Sequence, residues 1–336
     1  MPAERAPGKL GIVVIGRNEG ERLKACLDSL AASAYPIVYV DSGSTDGSAA
    51  QAADMVESVV RLDPARPFTA ARARNEGAAR LLERFPGLTL IQFVDGDCVL
   101  DPTWLGRGIM VLEQSPGTAV VCGRRRELHP DASIYNRLCD MEWDTPTGEA
   151  DSSGGDFLVR VAAFRAVDGF NSDMIAGEEP ELCYRLRSAG WRIQRIPHEM
   201  TLHDADISRF SQFWLRAKRA GHAYAQGAYL HSGDGRGFRW REVRSIIFYS
   251  ALLPLALLFL SLLLGPLLLA LLPVTYLALA VRVYLGRRVR KESETRASAA
   301  IYATSVVVGK FAQLLGVLEF FTSQWVKKPR ELIEYK

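Results

Sequence analysis

Leu90-Ile91-Gln92-Phe93-Val94-Asp95-Gly96-Asp97 is the stretch whose reading decides the fold. Its first five residues read as a buried strand, and two carboxylates flank a glycine at its carboxyl end. Hard divalent cations take oxygen ligands and often share a carboxylate site with a substrate's phosphates. The bland alternative is an acidic turn that only ends a strand. The residues on either side must decide between the two.

Upstream, Leu10 to Ile15 is a continuous apolar run, read as a buried parallel strand. Asn18 is expected to cap the next helix, with Glu21 as capping-box partner. Leu23, Leu27 and Leu30 then recur at helical spacing. A second strand, Pro36 to Val40, ends at Asp41-Ser42-Gly43-Ser44-Thr45-Asp46-Gly47, where Asp46 is expected to cap a short Ala-rich helix. A strand at Val59 to Leu62 and a helix over Ala70 to Phe85 lead back to the acidic strand. Strands alternating with helices predict an α/β, Rossmann-like fold with a mainly parallel sheet flanked by helices. Ligands of such sheets bind at the carboxyl ends of the strands, so Asp41 and Asp95 should share one edge.

The chain has 336 residues and a formal net charge of +3, which suits one large domain or two modest ones and speaks against a nucleic-acid partner. Its five cysteines form no CxxC pair, so neither a zinc pattern nor a disulfide framework is expected, and reduced thiols fit best. Met1 to Lys9 is charged, and the apolar run after it is too short for a signal peptide.

The last third differs. Ile246 to Leu285 is 40 residues long with one charge, Arg282. That is about twice the ~20 residues one membrane span needs. Gly265-Pro266 at its middle predicts a helical hairpin, roughly 246–264 and 267–285. Arginines 236, 239, 241 and 244 precede it, and Arg287, Arg288, Arg290 and Lys291 follow it, so both ends should face the cytoplasm. A buried hairpin in a soluble core is the alternative. Residues 299–325 are apolar but carry Lys310, Gln313 and Glu319, and Lys310 and Glu319 fall on opposite helix faces. An interfacial or re-entrant helix is preferred there over a third span. The expected division is a cytoplasmic catalytic domain over 1–235 and a membrane region over 236–336.

Several motifs in order resemble the inverting family-2 glycosyltransferases, which have the GT-A fold. They are Val14-Ile15-Gly16-Arg17-Asn18-Glu19, Val40-Asp41-Ser42-Gly43-Ser44-Thr45-Asp46-Gly47, Ala73-Arg74-Asn75-Glu76-Gly77 and Asp95-Gly96-Asp97. Gly154-Gly155-Asp156-Phe157-Leu158 with Gly169-Phe170, and the helix from Gly177-Glu178-Glu179-Pro180, complete the series. The resemblance covers roughly residues 8–230. It implies a metal-dependent transfer of a sugar from a nucleotide-sugar donor, expected to be a UDP-sugar.

By that resemblance Asp97 holds Mn²⁺ or Mg²⁺, Asp95 reaches the ribose or shares the metal, and His203 completes the metal shell as in some relatives. Asn18, Glu19 and Asp41 serve the nucleobase and ribose. Ser42 stands where the family usually has a second aspartate, which bears on nucleotide identity. Arg72, Arg74 and Asn75 face the donor. Gly154 and Gly155 lie on the acceptor side. Glu179, second acid of the Glu178-Glu179 pair, inherits the role of catalytic base, and the pair's dipole-stabilising place near a helix start is the alternative. Glu181 is expected to support the fold. Arg216 and Arg219 share a helix face and suit a diphosphate or a phosphorylated lipid, or simply an interfacial face. Arg124-Arg125-Arg126 is assigned no individual role. The acceptor is expected to be a lipid or lipid-linked saccharide, with a polyprenyl phosphate as the nearest variant. No QxxRW follows, which speaks against a polymer synthase. The rivals are a sugar-nucleotide nucleotidyltransferase, whose Gly-rich loop is a poor match at Arg17-Asn18-Glu19-Gly20, and a catalytically silent membrane scaffold, which should have lost Asp95, Asp97 or Glu179.

Overall fold

The computed structural model describes residues 9–291 and 294–326. The charged N-terminal stretch before Lys9 and the basic Lys327, Lys328 and Arg330 lie outside the described residues. Two compact units form: the described part of Met1–Ala132 with Glu142–Asp206, and Ser133–Met141 with the described part of Ile207–Lys336.

The first unit opens with β1 (Leu10–Gly16), α1 (Glu21–Ala31), β2 (Ile37–Asp41), α2 (Ser48–Ala52), β3 (Ser58–Arg61), α3 (Ala70–Arg84), β4 (Leu90–Asp95) and β5 (Cys98–Leu100). It continues with α4 (Trp104–Gln114), β6 (Thr118–Glu127), α5 (Ile134–Trp143, shared with the second unit), β7 (Gly148–Glu149), β8 (Phe157–Arg160), α6 (Val161–Ala166), α7 (Glu178–Ser188) and β9 (Arg192–His203). The sheet order is β3-β2-β1-β4-β8-β6-β9-β5, with β7 on β9. Parallel pairing joins β3, β2, β1 and β4, and β6 to β9, whereas β8, β5 and β7 pair antiparallel. The α/β sheet with flanking helices is the one expected, but it is mixed: the strictly parallel half is the half whose strands alternate one-for-one with helices.

Register explains why the acidic ends meet. Gly16 pairs with Asp41 and Ile15 with Asp95, so both acids flank the end of β1. Gly96 is required there by space: a Cβ would sit 3.0 Å from the Ile15 carbonyl oxygen and 3.5 Å from Gly16 Cα. The one polar residue inside the acidic strand, Gln92, is fully buried and satisfied, accepting from Trp104 Nε1 at 2.9 Å and donating to the Phe93 carbonyl at 2.8 Å. Phe93 packs against Phe157, Phe164 and Phe170 with ring centroids 5.2–5.6 Å apart, a core that anchors the strand carrying the acids.

One expectation fails locally. Asn18 does not cap α1, whose N-cap is Gly20 without a side-chain bond. Asn18 instead adopts φ 55°, a left-handed conformation asparagine tolerates, and its Oδ1 accepts from Thr45 N at 2.8 Å. The competing partner across the strand ends wins over the local helix. The N-cap of α2 is likewise a glycine, Gly47, without a side-chain bond, and Asp46, one residue earlier, accepts from Ser48 N at 3.0 Å.

The second unit contains α8 (Phe210–Leu230), α9 (Trp240–Ile247), α10 (Leu253–Leu264), α11 (Leu271–Arg290) and α12 (Arg296–Val326). Three continuous helical stretches, Trp240–Leu264, Pro266–Arg290 and Arg296–Val326, are long and apolar enough to cross a membrane, with mean hydropathies of 2.5, 2.0 and 1.6. The break falls at Gly265, φ 117°, and the chain returns so that Tyr276 Oη donates to the Tyr249 carbonyl at 2.7 Å. Leu262 and Leu267 are 78% and 88% exposed, an outward face that suits lipid rather than water.

Residues 299–325 belong to the single 31-residue α12, which packs along α8. Its polar residues have partners on other helices: Glu319 lies 2.5 Å from Lys218 Nζ, and Lys310 Nζ donates to Ser245 Oγ at 2.9 Å. The two helices approach through glycines. A Cβ on Gly221 would lie 2.0 Å from the Gln313 carbonyl oxygen, and one on Gly316 2.0 Å from that of Lys218. Gly316→Ala is therefore expected to push α8 and α12 apart and cost about 3 kcal/mol, the upper end for overpacking, because the neighbour is rigid backbone. Thermal unfolding in detergent measures it, and an unchanged midpoint would contradict this packing.

Candidate active site

Asp95 is the hub of an alternating network of acids and guanidinium groups. Its backbone N–H donates to Asp156 Oδ1 at 2.9 Å. Its Oδ1 accepts from Arg74 Nη2 at 2.6 Å and its Oδ2 from Arg125 Nη2 at 3.2 Å. Arg74 also donates from Nη1 to Glu178 Oε1 at 2.7 Å, so this one guanidinium on α3 ties β4 to α7. Arg125 Nη1 lies 3.5 Å from Asp156 Oδ2, which accepts from Thr201 Oγ1 at 2.8 Å. Burial pushes the Asp95 carboxyl up, but Arg74 and Arg125 outweigh it and hold the group below its ordinary value. Its contribution to stability is thus present above the unfolded value and lost as pH falls through the lower folded one.

Arg74→Met should expose the cost of this arrangement. Asp95 and Glu178, whose side chains are 24% and 13% exposed, would lose their shared cation. Removing one partner of a buried charge pair typically costs about 3–5 kcal/mol. Urea unfolding at neutral pH measures the loss, and it should shrink as pH falls far enough to protonate Asp95.

Asp97 and His203 form the second cluster. Both side chains are 8% exposed, and Asp97 Oδ2 lies 3.3 Å from His203 Nε2. Cys98 Sγ is 3.7 Å from Asp97 Oδ1, and burial pushes its thiol well up. His203 pairs in register with Cys98 on one side and Glu127 on the other, so β5, β9 and β6 set these residues in one row. The Trp143 ring meets His203 edge-on at 4.7 Å, and Arg125 stacks over the same ring at 4.9 Å. Asp97, Cys98 and His203 are a donor group able to hold a metal ion.

Glu179, in the first turn of α7, is buried. Its Oε1 accepts from Ser153 N at 2.5 Å, Ser153 Oγ at 2.8 Å and Cys183 Sγ at 3.0 Å. Burial raises its carboxyl above the ordinary range, and these hydrogen bonds offset part of that rise. Gly154, φ 94°, and Gly155 follow Ser153. A Cβ on Gly155 would lie 2.6 Å from Asp95 Oδ2 and 3.2 Å from Arg74 Nη2, so this backbone lies directly against the Asp95 network. Glu181 pairs with Arg185, which also donates to the carbonyls of Gly169 and Val167, a supporting role.

The other candidates are placed elsewhere. Asp41 accepts from Gly43 N and Ser44 N at 3.2 and 3.1 Å and shapes its own loop, and Glu19 pairs with Arg22 at 3.0 Å. Arg72 does not join the acidic network. Two residues from Arg74 on a helix means the opposite side, and there it binds Glu76 and the carbonyls of Asp63, Arg66 and Pro67. Asn75 latches Phe170 through both its N–H and its carbonyl, at 2.9 and 2.7 Å. Arg216 and Arg219 are half-buried on α8 in the second unit.

Arg125, Asp156, Glu127 and Trp143 went unassigned in the sequence. The signal for two of them was strand alternation. Within β6, Arg125 and Glu127 are buried while Arg126 is exposed, so the triple-arginine run is not one basic face.

Residues 11–164 match the family model Glycosyl transferase family 2. Those residues, just under half of the chain, are similar to a family 2 glycosyl transferase domain. The glycosyltransferase AglE of Haloferax volcanii is 24% identical over 200 residues, covering 55% of the chain and 63% of AglE, so the chain matches under two thirds of that relative's length. Among solved structures, the mannosyltransferase PcManGT from Pyrobaculum calidifontis, solved with GDP-Man and Mn²⁺, superposes with a TM-score of 0.58 at 17% identity. That superposition covers 98% of the chain and 92% of PcManGT, and it shows that the glycosyl transferase domain and the helices after it share its fold.

Proposed function

We propose that the chain is a membrane-anchored inverting glycosyltransferase. It moves a sugar from a nucleotide-sugar donor, a UDP-sugar in our reading, to a lipid or lipid-linked acceptor at the cytoplasmic face of a membrane. One observation carries the reading: Asp97 and His203 face each other 3.3 Å apart at the strand ends of a family 2 domain, next to the Asp95–Arg74–Glu178 chain.

The residues fit a divalent cation. A carboxylate oxygen and an imidazole nitrogen converge, and the far nitrogen, His203 Nδ1, is buried without a hydrogen-bond partner. Asp97 and His203 would hold Mn²⁺ or Mg²⁺, with Asp95 sharing it or reaching the ribose. Bound between them, it would supply Lewis-acid stabilisation of the leaving diphosphate's charge. Arg74 and Arg125 keep Asp95 ionised for either task. Asn18, Glu19 and Asp41 bound the nucleoside side, while Arg72 and Asn75 hold the frame from which Arg74 projects. Glu179 takes the proton of the acceptor hydroxyl as its oxygen attacks the anomeric carbon, and the backbone at Gly154 and Gly155 borders the acceptor. Arg216 and Arg219 serve a diphosphate or phosphorylated lipid. The three apolar helices support a lipid-borne acceptor, and the arginines flanking the first two support the cytoplasmic orientation.

Purified protein offered a panel of UDP- and GDP-sugars with Mn²⁺, with and without membrane lipids, tests this. Lipid-stimulated nucleotide release from one donor is expected. Absence of release from every donor would contradict it.

A further inference from the structure

Glu127 is used by none of the chemistry above, yet its side chain is fully buried within reach of the proposed cation ligands. Its Oε2 lies 3.7 Å from His203 Nδ1, the ring nitrogen turned away from Asp97. Its carboxylate is itself fixed: Oε1 accepts from His129 N at 3.1 Å and Oε2 from Ala205 N at 3.0 Å. The strands enforce the juxtaposition, because Glu127 and His203 are register partners and the Leu128 N–H donates to the His203 carbonyl at 2.8 Å. Trp143 closes the ring's edge. The imidazole therefore sits between two carboxylates, one on each nitrogen.

A neutral imidazole carries one N–H, and the group beside one nitrogen decides which tautomer is kept. A carboxylate accepts and cannot donate, so each acid favours a proton on the nitrogen it faces; with a cation held by Asp97 and the Nε2 lone pair, Nδ1 would carry the proton, and Glu127 is the acceptor that faces it. Metal-bound histidines are commonly oriented by such an outer carboxylate, and its loss typically costs about 10–100-fold in metal affinity. We infer that Glu127 is a positioning residue that sets the tautomer and aim of His203 for cation binding. The inference rests on the metal reading of Asp97 and His203. Its structural rival is that Glu127 only staples the ends of β6 and β9 through Ala205 and His129.

Mn²⁺ binding to full-length protein, followed by electron paramagnetic resonance without any donor, separates the two. Glu127→Gln keeps the volume and one acceptor, and should weaken Mn²⁺ binding about 10–100-fold. In a His203→Gln background the same change should leave the Mn²⁺ dissociation constant unaltered. An undiminished affinity in the wild-type background, or an equal loss in both backgrounds, overturns the inference. ¹⁵N-histidine spectra of the wild-type, Mg²⁺-loaded protein test it without a variant at Glu127: a proton on Nδ1 of His203 is expected, and a proton on Nε2 overturns it. If Asp97→Asn leaves Mn²⁺ binding intact, the metal reading itself fails. If Asp97→Asn weakens binding and Glu127→Gln does not, only the positioning role fails.

Discussion

Asp97→Asn is expected to lower metal-dependent nucleotide release by about 10³-fold, equivalent to roughly 4 kcal/mol of transition-state stabilisation. The change keeps the side chain's size and one oxygen, so the fold should survive it. What it removes is the negative charge facing His203 Nε2 at 3.3 Å. An asparagine oxygen is a poorer ligand for a hard cation, and its amide nitrogen is no ligand at all. The charge of the leaving diphosphate then has less to offset it. Raising Mn²⁺ should recover part of the rate if the loss is in affinity. A variant with wild-type rate at limiting Mn²⁺ would remove Asp97 from the metal site and return Asp95-Gly96-Asp97 to a strand-ending turn.

Glu179→Gln should stop transfer while sparing donor binding, with a loss of about 10²–10⁴-fold, the usual contribution of a positioned general base. Glutamine Oε1 can still accept from Ser153 N and Oγ, so the loop that Glu179 holds should keep its shape. The proton acceptor is what disappears. The wild-type pH profile carries a linked expectation. Burial raises the Glu179 carboxyl above the ordinary range, and the base works only when ionised. The rate should therefore fall on the acid side, with a midpoint above about 4.3, the unperturbed glutamate value. A flat rate down to that pH, or normal transfer by Glu179→Gln, would move the base elsewhere. Glu178 is the poorer choice, because its Oε1 is already taken up by Arg74 Nη1 at 2.7 Å.

Much of the site's scaffold is legible in the amino-acid sequence. The apolar runs ending at Asp41 and Asp95 fixed two parallel strands and the edge they share, because the strand period and the βα alternation are local signals. The apolar helical hairpin was equally legible, since length and a Gly-Pro break suffice. What escaped depended on partners distant in the chain. Arg125 looked like one of three equivalent arginines until β6 turned it toward Asp95 and Asp156. Asn18 carried a good capping signal, but the loop after β2 offered a better partner across the strand ends. Arg72 and Arg74 shared a motif, yet a helix turns residues two apart to different sides. Lys310 and Glu319 spoiled the amphipathic pattern of α12 because each answers a different helix, Ser245 on α9 and Lys218 on α8. The antiparallel strands β8 and β5 lacked the helix-strand alternation that made the first half readable.

The most direct test of the account follows the sugar itself. Purified protein in lipid is given the labelled form of whichever nucleotide-sugar it turns over, with Mn²⁺, and the organic-extractable product is collected and its anomeric configuration read by NMR. The account predicts label in the lipid fraction, with the anomeric centre inverted relative to the donor. Nucleotide release with the label left in the aqueous phase, or a product that retains the donor's configuration, would contradict it.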